Sequence, residues 1–131
     1  MLCGQEGTRV DQHRALPGPQ GTFTFVSPEI ESLTGYPIAD FLHEDQRSFR
    51  SLIHPADLAG VQSALATAIQ THRYFELRYR ICRADGDLRH IFERGRATYH
   101  PSGELNYLEG ALIDVSRELE SGWATPQAVP A

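Results

Sequence analysis

The chain has 131 residues, of which 40% are apolar and 22% charged, the makeup of one ordinary globular domain around a single core. Its formal net charge of -5 argues against non-specific binding to nucleic acid, which needs a concentrated basic surface. No apolar run approaches the length that crosses a bilayer, Met1-Leu2-Cys3-Gly4 does not open a signal peptide, and two cysteines far apart in sequence supply no disulfide framework, so reduced thiols in a cytoplasm are expected.

Residues 1 to 9 are polar and contain glycine, the pattern of a flexible N-terminal segment. Val10 to Ala15 reads as a short first strand, to which His13 and Arg14 add nothing. Leu16-Pro17-Gly18-Pro19-Gln20-Gly21 is a turn by composition, and Thr22 to Val26 a second strand with Phe23 and Phe25 on one face. Ser27-Pro28-Glu29 predicts a helix start: the serine oxygen as cap, proline in the first turn and an acid against the helix dipole. Ile30 and Leu33 face inward, and Gly35 ends the helix in the left-handed conformation. Pro37 to Leu42 and Glu44 to Leu52 read as two further short helical pieces.

His54-Pro55-Ala56-Asp57 opens the longest helix, whose Leu58, Val61, Leu65 and Ile69 recur at helical spacing. His54 is a helix-start residue by its place before Pro55, and the remaining histidines are too scattered to suggest a metal site. Three antiparallel strands follow. In the first, Phe75, Leu77, Tyr79 and Ile81 alternate with Glu76, Arg78 and Arg80, so one side is buried. Asp85-Gly86 turns the chain into a strand from Leu88 to Thr98, and Pro101-Ser102-Gly103 leads into the last, Leu105 to Val115. Arg117 to Gly122 would add a helical turn or two, and 119–131 reads as a linker or tail. Strands, then helices, then strands imply an α+β domain with helices on one face of an antiparallel sheet.

The series Tyr79-Arg80-Ile81, Ala84-Asp85-Gly86, Gly103, Gly110 and Asp114-Val115-Ser116 resembles the C-terminal half of a PAS domain, with Asp-Val-Ser where the family usually carries Asp-Ile-Thr. Phe25-Val26-Ser27-Pro28 to Gly35-Tyr36-Pro37, and Ile53-His54-Pro55-Ala56-Asp57, are similar to its N-terminal half. The likeness covers roughly residues 10 to 118, which would form the sensor domain. It implies a five-stranded sheet of order 2-1-5-4-3 and a sensory, signal-transducing role in a larger bacterial-type regulator, with a histidine kinase or a diguanylate cyclase as typical output. No kinase, cyclase or DNA-binding segment remains after residue 118, so an excised sensor, or one acting by association, is expected.

No phosphate loop, Cys-x-x-Cys, His-Glu-x-x-His or nucleophile elbow occurs, so no catalytic residue and no metal ligand is assigned. The family's flavin-adduct sensors carry a cysteine in Asn-Cys-Arg-Phe-Leu-Gln, which this chain lacks; Cys82 ends a strand instead. Haem-binding relatives use a histidine on the long helix, and Asp57 to Gln70 has none. The resemblance therefore argues against both cofactors, while a flavin held without covalent chemistry stays compatible. It leaves a pocket between sheet and helices, with Tyr36, Tyr79, Ile91, Glu93 and Leu112 as candidate ligand contacts. Glu93 is the chemically pointed one, since a buried carboxylate has to be neutral, ion-paired with an arginine or ligand-bound. Gly95 and Gly110 either leave room for a ligand or mark a bulge or close contact.

By parity the outer face of the sheet carries Leu88, His90, Phe92, Tyr107, Ala111, Ile113 and Val115, an apolar surface of the kind that marks an interface. Phe92, Tyr107, Ala111 and Ile113 are the candidate contacts of a homodimer, and Asp114, Val115 and Ser116 the point where a signal leaves. Two alternatives stay open: a pure dimerisation module with its core filled by side chains, and a small enzyme using Glu93 as a base.

Overall fold

The computed structural model describes residues 10–16, 22–42, 47–72 and 74–117. The expectations for 1–9, for the turn at 17–21, for 43–46 and for everything after Arg117 fall outside the described residues. Five strands make one antiparallel sheet: β1 (Val10–Ala15), β2 (Phe23–Val26), β3 (Tyr74–Cys82), β4 (Leu88–Tyr99) and β5 (Leu105–Asp114), in the order β2-β1-β5-β4-β3. Between β2 and β3 run α1 (Glu29–Thr34), α2 (Ile38–Leu42), a 3₁₀ turn (Phe49–Leu52) and α3 (Pro55–Thr71).

The strict alternation of β3 decides which side of the sheet is covered. Phe75, Leu77, Tyr79 and Ile81 are all buried, against Val61, Leu65 and Ala68 of α3, while Arg78 and Arg80 point away. Ile91 and Leu112 continue the same inner face on β4 and β5. Burying each such side chain contributes about 1.5–3 kcal/mol, so register follows from pattern: a one-residue slip would put Glu76, Arg78 and Arg80 in the core.

Local chemistry sets the element ends. The His54 imidazole caps α3, its Nδ1 accepting from the Ala56 amide at 3.0 Å, with Pro55 behind it. Asp57 then binds Arg80 with both carboxylate oxygens, at 2.8 and 2.9 Å, and takes its backbone amide at 2.9 Å, fastening the start of α3 to β3. Gly35 closes α1 at φ 82, as its position after Thr34 predicts. Gly86, at φ 87, makes the turn between β3 and β4.

Four readings of the sequence are corrected. Phe23 and Phe25 do not share a face: a bulge opposite Arg14 and Ala15 breaks the alternation of β2, so Phe23 and Val26 are buried while Phe25 is 51% exposed. Ser27 does not cap α1, whose N-cap is Pro28 without a side-chain bond; its hydroxyl is engaged by β1 instead. The piece ending at Leu52 is a single 3₁₀ turn, capped by Ser48, whose Oγ accepts from the Ser51 amide. Val115 is buried rather than outward, because β5 ends at Asp114 and period-two counting stops there.

Candidate functional site

The odd-numbered residues of β1 face the helices, although two of the three are polar: Asp11 is fully buried and His13 is 6% exposed. Their neighbours hold them there. Ser27, where the chain leaves β2, donates its hydroxyl to Asp11 Oδ1 at 2.6 Å and its amide to the same oxygen at 3.0 Å. The same hydroxyl accepts from the Gln12 amide at 3.0 Å. The His13 ring stacks on Phe23, with centroids 5.1 Å apart.

From β4, Glu93 points to the same side. It accepts from the Tyr79 hydroxyl at 2.7 Å, and its other oxygen lies 3.1 Å from His13 Nε2. Strand β5 separates β1 from β4, and the residue paired with His13 there is Gly110, which carries no side chain to stand between them. On the far side of the imidazole, Nδ1 lies 3.7 Å from Asp11 Oδ2. A chain of polar groups thus crosses the inside of the sheet, from Tyr79 on β3 through Glu93 and His13 to Asp11 and Ser27.

The charges respond to this setting. Burial pushes the Asp11 carboxyl up to about 6, against the pull of Ser27 and His13. Burial also works to strip His13 of its proton, but Glu93 and Asp11 outweigh it and the imidazole titrates above its ordinary 6.5. The Tyr79 phenol is raised well above 10.0 by burial and by the Glu93 charge, so it stays a donor. Arg50 is lowered by burial, partly offset by Glu93.

A cavity of about 40 Å³ lies against this chain. Its walls are Phe23, Phe49, Leu65, Leu108 and Leu112, and its polar end is His13, Arg50, Tyr79 and Glu93. That volume admits a few water-sized groups, at roughly 10–15 Å³ each. Of the residues expected at a ligand, Tyr79, Glu93 and Leu112 meet here. Ile91 is buried beside them but does not line the cavity. Tyr36 lies apart, edge-on to Phe41 and covered by the Arg47 guanidinium 3.7 Å from its ring centre. Gly95 and Gly110 do not line this cavity, and a Cβ on Gly95 would meet Glu109 O at 2.5 Å and the Phe75 ring at 2.7 Å, so the pair marks close strand contact.

Glu93, expected to be neutral, paired with an arginine or ligand-bound, meets a tyrosine and a histidine, with Arg50 acting on it from the same cavity. His13 and Asp11 were invisible to sequence reasoning because their buried parity is the polar one; Ala15, which shares it, is the signal that would have placed them. A larger hollow, about 450 Å³, is an open groove lined by Arg14, Arg94, Arg96 and the exposed rings of Phe25 and Tyr74, with His13, Gly95 and Gly110 also in its lining. No group of three or more metal-binding side chains occurs among the described residues, and no helix there is long and apolar enough to cross a membrane.

The residues expected to pass a signal onward are tied to the start of β4. Asp114 Oδ2 accepts from Arg89 Nε at 3.0 Å and Oδ1 from the Ser116 amide at 2.9 Å. The Ser116 hydroxyl accepts from the His90 amide, and the Val115 amide donates to the His90 carbonyl, both at 2.8 Å. Ser116 and Arg89 hold the Asp114 carboxyl below its ordinary value against the effect of burial.

Comparison with known proteins agrees with this architecture. The N-terminal domain of a diguanylate cyclase with PAS/PAC sensor from Marinobacter aquaeolei superposes with a TM-score of 0.73 at 23% identity, over 84% of this chain and 98% of that one. A sensory box histidine kinase/response regulator from Burkholderia thailandensis gives 0.70 at 26% identity, over 88% of this chain and 84% of that one. In sequence, a methyl sulfide methyltransferase-associated sensor of Methanosarcina acetivorans is 31% identical over 109 residues, 82% of this chain. The chain spans only 10% of that relative's length. The family model described as PAS fold matches residues 23–112, and the chain belongs to that family.

Proposed function

We propose that this PAS domain is the sensory module of a larger bacterial-type regulator with a kinase or cyclase output, that it takes a small ligand in the cavity between sheet and helices, and that it relays occupancy through Asp114, Val115 and Ser116. The observation that carries the reading is the Glu93 carboxylate in the wall of an otherwise apolar cavity, held by Tyr79 and His13 with lone pairs left for a further donor. A module that only dimerises has no use for a carboxylate there, since an apolar residue would fill the core at less cost. A polar group among aromatic and aliphatic walls is the usual design of a small-molecule site.

Native mass spectrometry of the purified chain, with its absorbance spectrum, tests this directly. A compound that co-purifies and is released on denaturation supports the ligand reading, and its mass identifies it. The released compound is then titrated into Glu93→Gln, which should bind it more weakly while unfolding as cooperatively as the wild type. Unchanged affinity removes Glu93 from the site.

A homodimer through the outer face is the second reading. Phe92 and Ile113 are register partners on β4 and β5, half-buried, with Tyr107 and Ala111 on the same strand as Ile113. Arg78 lies over the Phe92 ring at 5.4 Å and Arg14 over Tyr107 at 4.5 Å, so a second copy would pack on guanidinium planes as well as on apolar carbon. Two-fold pairing is the commonest way to hide such a surface and would set the two exits side by side.

A further inference from the structure

We propose that Asp11 and His13 hold one exchangeable proton between Oδ2 and Nδ1, and that loss of this proton strains β1 against the exit strand β5, making the domain responsive to alkalinity. The inference concerns the domain's own charge state and rests on the sensor reading only for its biological meaning.

The geometry leaves one place for such a proton. Asp11 Oδ1 is committed to Ser27, and His13 Nε2 faces Glu93. The two atoms left over, Asp11 Oδ2 and His13 Nδ1, are both buried and both lack a hydrogen-bond partner. At 3.7 Å they are too far apart for an ideal bond but close enough for their charges to be strongly coupled. With a proton present, the pair is a carboxylate facing an imidazolium, or a carboxylic acid facing a neutral nitrogen. Without it, a carboxylate faces a nitrogen lone pair, and the two repel. The proton leaves to solvent, and no bond other than its own breaks.

Every element around the imidazole contributes to the balance. Asp11 flanks it on its own strand, Glu93 on β4 supplies the second carboxylate, and Tyr79 on β3 donates to that carboxylate rather than to the ring. Arg50 of the 3₁₀ turn stands at the same cavity and acts on Glu93, and Glu29 of α1 acts on Asp11. β2 offers only the Phe23 ring. Two carboxylates around one imidazole favour the proton, and both Asp11 and His13 are shifted toward keeping it.

The position gives the proton its reach. Asp11 pairs across the strands with Leu112, and Val10 with Ile113, the last residues of β5 before Asp114. A repulsion that pushes Asp11 and His13 apart therefore acts on the backbone ladder next to the exit.

Carbon-13 NMR of the ligand-free protein tests this between pH 5 and 9, so the result is independent of whether the cavity binds a ligand. The Asp11 carboxyl carbon is expected to respond at the same midpoint as the His13 ring, above 6.5, with the Leu112 and Ile113 amides following it. Asp11→Asn should lower the His13 midpoint by about 1 unit, the usual effect of removing a charge at this range. If that variant does not fold, the wild-type titration alone decides. An Asp11 carboxyl silent across the His13 transition, an unmoved His13 midpoint in a folded Asp11→Asn protein, or β5 amides that ignore the transition would each overturn the proposal.

Discussion

The Tyr79 hydroxyl and the Glu93 carboxylate meet at 2.7 Å across the pairing of β3 with β4, on the side of the sheet where every other β3 side chain is apolar. A tyrosine with 1% exposure spends its one donor on this contact. Tyr79→Phe keeps the ring and removes the donor, leaving Glu93 with one fewer partner. The expected loss is about 1–3 kcal/mol in chemical denaturation, the cost of leaving a buried acceptor short of a bond. A loss near zero would mean that water replaces the phenol and that the cavity is wetter than its walls suggest.

Stability should fall, not rise, on going from pH 6 to pH 8. His13 holds its proton more tightly folded than unfolded, so its contribution is full below 6.5 and is lost as pH rises through its folded value; that of Asp11 is full below 3.8 and is lost earlier, as pH rises to about 6. For Asp11, a shift from 3.8 to about 6 corresponds to about 3 kcal/mol. Asp57 and Asp114 are depressed, and theirs runs the other way: present above the ordinary carboxylate value and lost as pH falls. Thermal unfolding followed from pH 3 to 9 should therefore peak at about pH 4 and decline from there. A flat curve between pH 4 and 8 contradicts the buried pair, and Asp11→Asn should remove the part of the fall that lies below about pH 6.

Gly95→Ala should destabilise without touching the buried polar chain of Tyr79, Glu93, His13 and Asp11. Its new methyl would meet the Glu109 carbonyl at 2.5 Å and the Phe75 ring at 2.7 Å, and the carbonyl is backbone that cannot swing away. Overpacking of this kind costs about 1–3 kcal/mol. Gly103→Ala is the control: nothing lies near its Cβ, so its cost comes only from φ 96.

The dimer reading is tested by sedimentation of the Phe92→Glu, Ile113→Lys double variant, which should be monomeric and folded if the wild type pairs through these register partners. A wild type that stays monomeric at high concentration defeats the reading.

Strand β3 and the capped start of α3 were legible because each rests on local sequence: Phe75 to Ile81 alternate without exception, and His54-Pro55 supplies both a cap and a first-turn proline. The buried half of the polar chain was not. β1 inverts the usual pattern, exposing Val10 at 38% while burying Asp11 completely, and only the partners supplied by Ser27 and Glu93, 16 residues away and across β5, make that tolerable. The bulge that turns Phe25 outward was equally hidden, since it comes from how β2 meets β1 and not from any glycine or proline in β2.

Ser116 and Val115 grip His90 at its amide and its carbonyl, which makes the end of β5 a handle on the beginning of β4. Glu93 stands three residues farther along that same strand, about 10 Å away at the rise of an extended chain. Torque applied at the handle would turn β4 and swing the carboxylate in the cavity, and a pull on the carboxylate would turn the handle. Load and cargo would then be felt by each other in equal measure, so an output domain that holds the exit in one attitude should also tune how tightly the cavity grips its ligand.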